Sequence, residues 1–73
     1  MSYIKLTSVE SSTIDSTGYD SKNKILRIKF TSGAIYDYYG VPEKIAEGLL
    51  NASSKGSFFN EYIKDIYEFE RIE

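Results

Sequence analysis

Residues 25–39 read Ile25-Leu26-Arg27-Ile28-Lys29-Phe30-Thr31-Ser32-Gly33-Ala34-Ile35-Tyr36-Asp37-Tyr38-Tyr39. Two runs rich in strand-forming residues flank Thr31-Ser32-Gly33, which predicts a β-hairpin. Gly33 suits the left-handed third residue of a three-residue loop. That loop pairs Phe30 with Ala34, Ile28 with Tyr36 and Leu26 with Tyr38. One face then carries Leu26, Ile28, Phe30, Ala34, Tyr36 and Tyr38. The other carries Ile25, Arg27, Lys29, Ile35, Asp37 and Tyr39, with Arg27 opposite Asp37 as a favourable cross-strand pair. A slip of one residue would exchange the two faces and bury Asp37, so the register is strongly specified.

Upstream, Tyr3 to Val9 alternates and is rich in strand formers, and Glu10-Ser11-Ser12 breaks it. Ile14 to Tyr19 predicts a second strand, weakened by Gly18, and Asp20-Ser21-Lys22-Asn23 reads as a turn. Downstream, Gly40-Val41-Pro42 ends the sheet. Pro42 fits the first turn of a helix, and Glu43 fits the positive end of its dipole. Ile45, Ala46, Leu49 and Leu50 recur at helical spacing. Asn51 to Gly56 breaks that helix, and a second is expected to start at Ser57 as N-cap. Phe59, Tyr62, Ile63 and Ile66 would form its apolar face. Tyr67 to Ile72 alternates again, as a short edge strand would.

The expected architecture is α+β: a small antiparallel sheet of three to four strands, followed by two helices packed on one face. Residues 1–73 form a single domain. A chain this short buries only about 60% of its unfolded surface, so it is marginal alone. Aromatics make up 15% of it, with seven Tyr and four Phe, which suits a small core or an interface. Two helices cover one sheet face, and Leu26, Ile28 and Phe30 mark that face as the core. The other keeps Ile25, Ile35 and Tyr39 among charged residues. An apolar and charged surface of this kind predicts a homo-oligomer, in the simplest case a two-fold dimer.

The chain has no Cys and no His. Acid–base chemistry at neutral pH would therefore need a tuned Glu, Asp, Lys or Tyr. Ser11, Ser12, Ser53 and Ser54 have no partner base, and no acidic loop with metal-ligand spacing occurs. We expect no enzymatic activity, no metal and no cofactor. No apolar run approaches a membrane span, and the start of the chain lacks an apolar signal segment, so the expectation is a soluble cytoplasmic protein. The net charge of −2 argues against general nucleic-acid binding.

Three features remain as candidate ligand sites, each with a plain structural alternative. Tyr36 and Tyr38 are ordinary core-facing sheet residues or a stacking platform for a nucleobase. Ser53-Ser54-Lys55-Gly56-Ser57 is an inter-helix loop with a capping serine, or an anion site at a helix start that Asn60 could also reach. It lacks the glycine and lysine order of a P-loop. Arg27, Lys29 and Arg71 are rim charges or bidentate phosphate holders at a dimer seam.

The order of these pieces resembles the KTSC domain family over nearly the whole chain. The pieces are Val9-Glu10-Ser11-Ser12 with Ile14, Gly18-Tyr19-Asp20, Leu26 through Phe30, Ser32-Gly33 and Tyr36-Asp37-Tyr38. Gly40-Val41-Pro42, Leu49-Leu50, Ala52-Ser53-Ser54-Lys55-Gly56, Phe59-Asn60, Ile63, Tyr67 and Arg71 complete the pattern. No single piece is specific, whereas their order and spacing are. The chain departs in its acidic balance and in Ile45 and Ala46, where a bulkier aromatic is usual. The resemblance implies a β-sheet with two helices. It also implies relatives appended to lysyl-tRNA synthetases or standing alone in bacteria and phages, with a suggested RNA-binding role.

The resulting expectation is a non-catalytic module that captures a phosphorylated, nucleotide-type small ligand, in an oligomer that can build a pocket between subunits. Tyr36 or Tyr38 would stack on the base while Arg27, Ser54, Lys55 and Asn60 hold phosphate or ribose. Capture without turnover would suit a phage protein that absorbs a nucleotide signal of host defence. The alternatives are an RNA-binding accessory and a protein-assembly module using the Ile25, Ile35 and Tyr39 face.

Overall fold

The hairpin forms in the register read from its sequence. In the computed structural model, which describes residues 4–73, β3 (Ile25–Phe30) pairs antiparallel with β4 (Ile35–Tyr39). Leu26 faces Tyr38, Arg27 faces Asp37 and Ile28 faces Tyr36. Gly33 holds φ at +99°, a region in which a Cβ is costly, and its N–H donates to the Phe30 carbonyl at 2.9 Å to close the turn. Phe30 N–H in turn donates to the Ala34 carbonyl at 2.9 Å.

The hairpin is the centre of a five-stranded antiparallel sheet with strands in sequence order, one or two more strands than expected. β1 (Thr7–Ser8) and β2 (Ile14–Asp20) lie on one side of it, and β5 (Phe69–Arg71) lies on the other. Tyr3, assigned above to the first strand, lies outside the described residues. A bulge between Ile14 and Ser16 shifts the β2–β3 register, so that Ile14 still reaches the core face opposite Phe30.

Helix α1 (Glu43–Asn51) starts behind Pro42, whose carbonyl accepts from the N–H groups of Ile45 and Ala46. It buries Ala46 and Leu49, while Leu50, expected in the same stripe, stays half-exposed. Helix α2 (Lys55–Tyr62) begins earlier than expected. Ser54, not Ser57, is the N-cap, and its Oγ accepts from the Ser57 N–H. The helix stops at Tyr62, because Ile63 leaves helical geometry and Asp65 adopts φ +65°. Ile66 thus falls outside the helix and is exposed, contrary to its expected place on the apolar face, and Tyr62 is half-exposed as well.

Ile14, Leu26, Ile28, Tyr38, Val41, Ala46, Leu49, Phe59 and Ile63 form the core between the sheet and the two helices. The face carrying Leu26 and Ile28 is therefore the helix-covered one. The opposite face is less open than the sequence suggested. Gly18, Arg27, Asp37 and Glu70 form one row across it. The Ile4–Lys5 backbone passes so close over Gly18 that a Cβ there would collide with the Lys5 carbonyl oxygen and the Ile4 side chain. Ile4 is buried by this crossing. Asp37 is also buried, even in the register that puts it on the non-helical face, because Arg27 closes over it.

Candidate ligand groove

The two helices leave one end of their own sheet face uncovered. Alternation on β4 points Tyr36 and Tyr38 to that face. β5 pairs Arg71 with Tyr36 and Phe69 with Tyr38, so Arg71 and Phe69 extend the same face outward. Phe59 of α2 and Phe30 of β3 form the inner wall, and the turn at Lys64 and Asp65 closes one end. The resulting open groove holds about 540 Å³, within the range of roughly 300–1,000 Å³ usual for small-molecule sites.

Its surface is an aromatic cluster. Tyr36 and Tyr38 stack with centroids 6.3 Å apart and planes 26° apart. Phe59 meets Tyr38 edge-on at 5.5 Å, and Phe30 meets Tyr36 edge-on at 5.7 Å. Phe69 leans on both tyrosines at 5.7 Å. Tyr38 is the floor: it is buried, and burial, then the neighbouring Tyr36 and the Asp65 charge, push its phenol up to about 12. Phe69 is 55% exposed and leaves much of its ring free for another planar group. Lys64 and Arg71 place two cations at the margin, against the one carboxylate of Asp65.

The residues predicted from the sequence do not all meet here. Tyr36 and Tyr38 line the groove. Arg27 lies on the other sheet face, where its Nε and Nη2 donate to the two Asp37 carboxylate oxygens at 2.7 and 2.9 Å. Ser54 and Lys55 border a separate shallow cleft with Glu10, Ser11, Ser12 and Thr13. There Ser54 caps α2, and Lys55 Nζ donates to the Ala52 carbonyl at 3.1 Å. Asn60 is exposed on α2 and is not among the groove-lining residues. Within one chain, therefore, the expected phosphate holders and the expected stacking residues are in four places: the groove, the far sheet face, the Ser54–Lys55 cleft and the exposed side of α2. Ile25, Ile35 and Tyr39 are half-buried on the non-helical face, and the Tyr39 hydroxyl donates to Glu70 at 2.9 Å.

Phe69, Phe59, Phe30, Lys64 and Asp65 escaped the sequence reading as site residues. Phe69 had a readable signal: it shares the alternation phase of Arg71 in the last strand. Lys64 and Asp65 had none, since the early end of α2 decides where they go.

The protein is thus a small α+β domain, a five-stranded antiparallel sheet with two helices, whose aromatic groove opens at one end of the sheet. Among the described residues no group of His, Cys, Asp or Glu could hold a metal, and no helix is long and apolar enough to cross a membrane. The chain belongs to the KTSC domain family, which matches residues 10–67. A crystal structure of a KTSC domain protein from Yersinia pestis superposes with a TM-score of 0.94 at 38% identity, covering 97% of this chain and 100% of that one. A protein of Stutzerimonas stutzeri is 39% identical over 96% of this chain and 100% of its own length. A lysine–tRNA ligase of Nostoc punctiforme is 43% identical over 86% of this chain, which spans only 11% of that ligase.

Proposed function

We propose that this domain is a non-catalytic binding module that captures a nucleotide-type ligand in the aromatic groove. The observation that carries this reading is the cluster of Tyr36, Tyr38 and the half-exposed Phe69 beside Lys64 and Arg71. Stacking on an aromatic face contributes about 1–3 kcal/mol per base and tolerates any base. A cation at the margin then holds the phosphate. The mainly aromatic wall of the groove is suited to holding a flat ring, the capture without turnover that this reading describes. The phosphate-holding role expected of Arg27, Ser54, Lys55 and Asn60 passes in this reading to Lys64 and Arg71.

Titration with nucleoside monophosphates and cyclic oligonucleotides, followed by tyrosine fluorescence or calorimetry, tests it. Tyr36→Ala should weaken binding roughly tenfold, and Tyr36→Phe should leave it within about twofold. Absence of binding by every nucleotide ends the proposal.

A second reading is recognition of an unpaired nucleotide within RNA. It is favoured by the segment of a lysine–tRNA ligase that is 43% identical to this chain. It predicts RNA affinity that falls with salt, because phosphate contacts release counterions. The same groove would serve, so free nucleotide should compete with the RNA. RNA binding without such competition would remove this version.

A further inference from the structure

We propose that Asp65 makes the groove selective for guanine, by accepting hydrogen bonds from the base edge of the stacked ring. The inference rests on the nucleotide reading above and goes beyond it, because aromatic stacking alone does not distinguish bases. Discrimination has to come from a polar group that meets the edge of the base. Among the described residues that line the groove, Asp65 is the one carboxylate, set against Lys64 and Arg71 as cations.

The turn that carries Asp65 is tied down on both sides. Lys64 N–H donates to the Phe59 carbonyl at 2.8 Å, and the Ile66 and Tyr67 N–H groups donate to the Ile63 carbonyl at 3.1 and 3.3 Å. Ile63 is fully buried beneath it. Asp65 itself holds φ +65°, which Asp and Asn tolerate better than other side chains. Its charge is felt by the Tyr38 phenol at the groove floor. Asp65 therefore lines the same groove as Tyr36, Tyr38 and Phe69, within reach of the edge of a base stacked there.

Base chemistry then decides among ligands. Guanine presents two adjacent donors, N1–H and the exocyclic amine, which match the two oxygens of a carboxylate. Adenine offers one amine donor next to the N1 acceptor, whose lone pair would face the carboxylate. Cytosine has the same mixed pattern, and uracil has one N–H between two carbonyls. A bidentate match separates right from wrong base, so GMP should bind about tenfold tighter than AMP.

The test compares GMP, IMP, AMP and CMP on the wild-type chain, Asp65→Asn and Tyr36→Ala. Asp65→Asn keeps the side-chain size and the tolerance for positive φ. Its expected effect is about a tenfold loss for GMP, with AMP unchanged or improved, while IMP, lacking the exocyclic amine, falls between GMP and AMP on the wild-type chain. Tyr36→Ala should weaken all four alike. Equal affinities on the wild-type chain, or a GMP-to-AMP ratio untouched by Asp65→Asn, would overturn the role of Asp65 and leave the groove standing. No binding by any of the four would overturn the groove and this inference together.

Discussion

The Arg27 guanidinium closes on the Asp37 carboxylate through two hydrogen bonds, from Nε at 2.7 Å and from Nη2 at 2.9 Å, across adjacent strands. The two partners are unequally placed. The Asp37 side chain is 8% exposed and that of Arg27 27%. The carboxylate depends on the pair for its solvation, whereas the guanidinium still reaches water.

The pair should consequently respond asymmetrically to mutation. Arg27→Ala leaves a buried charge without its bidentate donor and should cost about 2–3 kcal/mol. Asp37→Ala should cost less, about 1–2 kcal/mol, because Arg27 can turn to solvent. Arg27→Met combined with Asp37→Leu should cost less than the two single losses together. Urea denaturation of the wild-type chain and these three variants measures all three statements.

Gly18 sits beneath the Ile4–Lys5 backbone, and there is no room there for a methyl group. Gly18→Ala should destabilise by about 1–3 kcal/mol, as overpacking does. The same substitution should loosen the segment before β1. Faster amide exchange over residues 4–8, in a chain whose β3–β4 hairpin stays protected, is the expected signature.

Tyr38 gives a pH dependence with a defined sign. Its phenol is pushed up to about 12, from an ordinary value near 10, chiefly by burial. The folded state thus holds this proton more tightly than the unfolded chain. The contribution is fully present below pH 10 and is lost as pH rises through about 12. The melting temperature should fall across that window, and Tyr38→Phe should make the fall shallower. Tyrosinate absorbance should show one fewer late-titrating phenol in that variant.

Self-association through the non-helical face is a separate expectation. Ile25, Ile35 and Tyr39 are half-buried there, and Ile72 is 41% exposed. Light scattering should give a mass above one chain at micromolar concentration. Ile35→Asp should reduce it to one chain with the circular dichroism spectrum unchanged. A wild-type mass of one chain would remove the oligomer.

Much of the fold was legible locally. Period-two alternation around Thr31-Ser32-Gly33 set the hairpin register, because a one-residue slip exchanges its two faces. Helical spacing of Ile45, Ala46 and Leu49 placed α1. α2 starts three residues before the position its sequence suggests, since Ser54 and Ser57 are both competent caps and only the hydrogen bond between them distinguishes them. Asp37 falls on the open face by alternation yet is buried, because alternation reports which face a residue occupies and not what lies over it.

For the site, the division is similar. The sequence by itself determined the chemistry available: aromatics in quantity, no His, no Cys, and Tyr36 and Tyr38 on one sheet face. That information is local, carried by residue type and by the two-residue period of a strand. Only the tertiary structure decided which side chains meet. β5 returns beside β4 after two helices and brings Phe69 and Arg71 to the tyrosines, while Lys64 and Asp65 arrive because α2 ends at Tyr62. It also sent Lys55 to another cleft, whereas alternation alone already put Arg27 on the far face. The physical reason is that contacts between distant segments depend on how the helices pack and where they stop, and no local period encodes that.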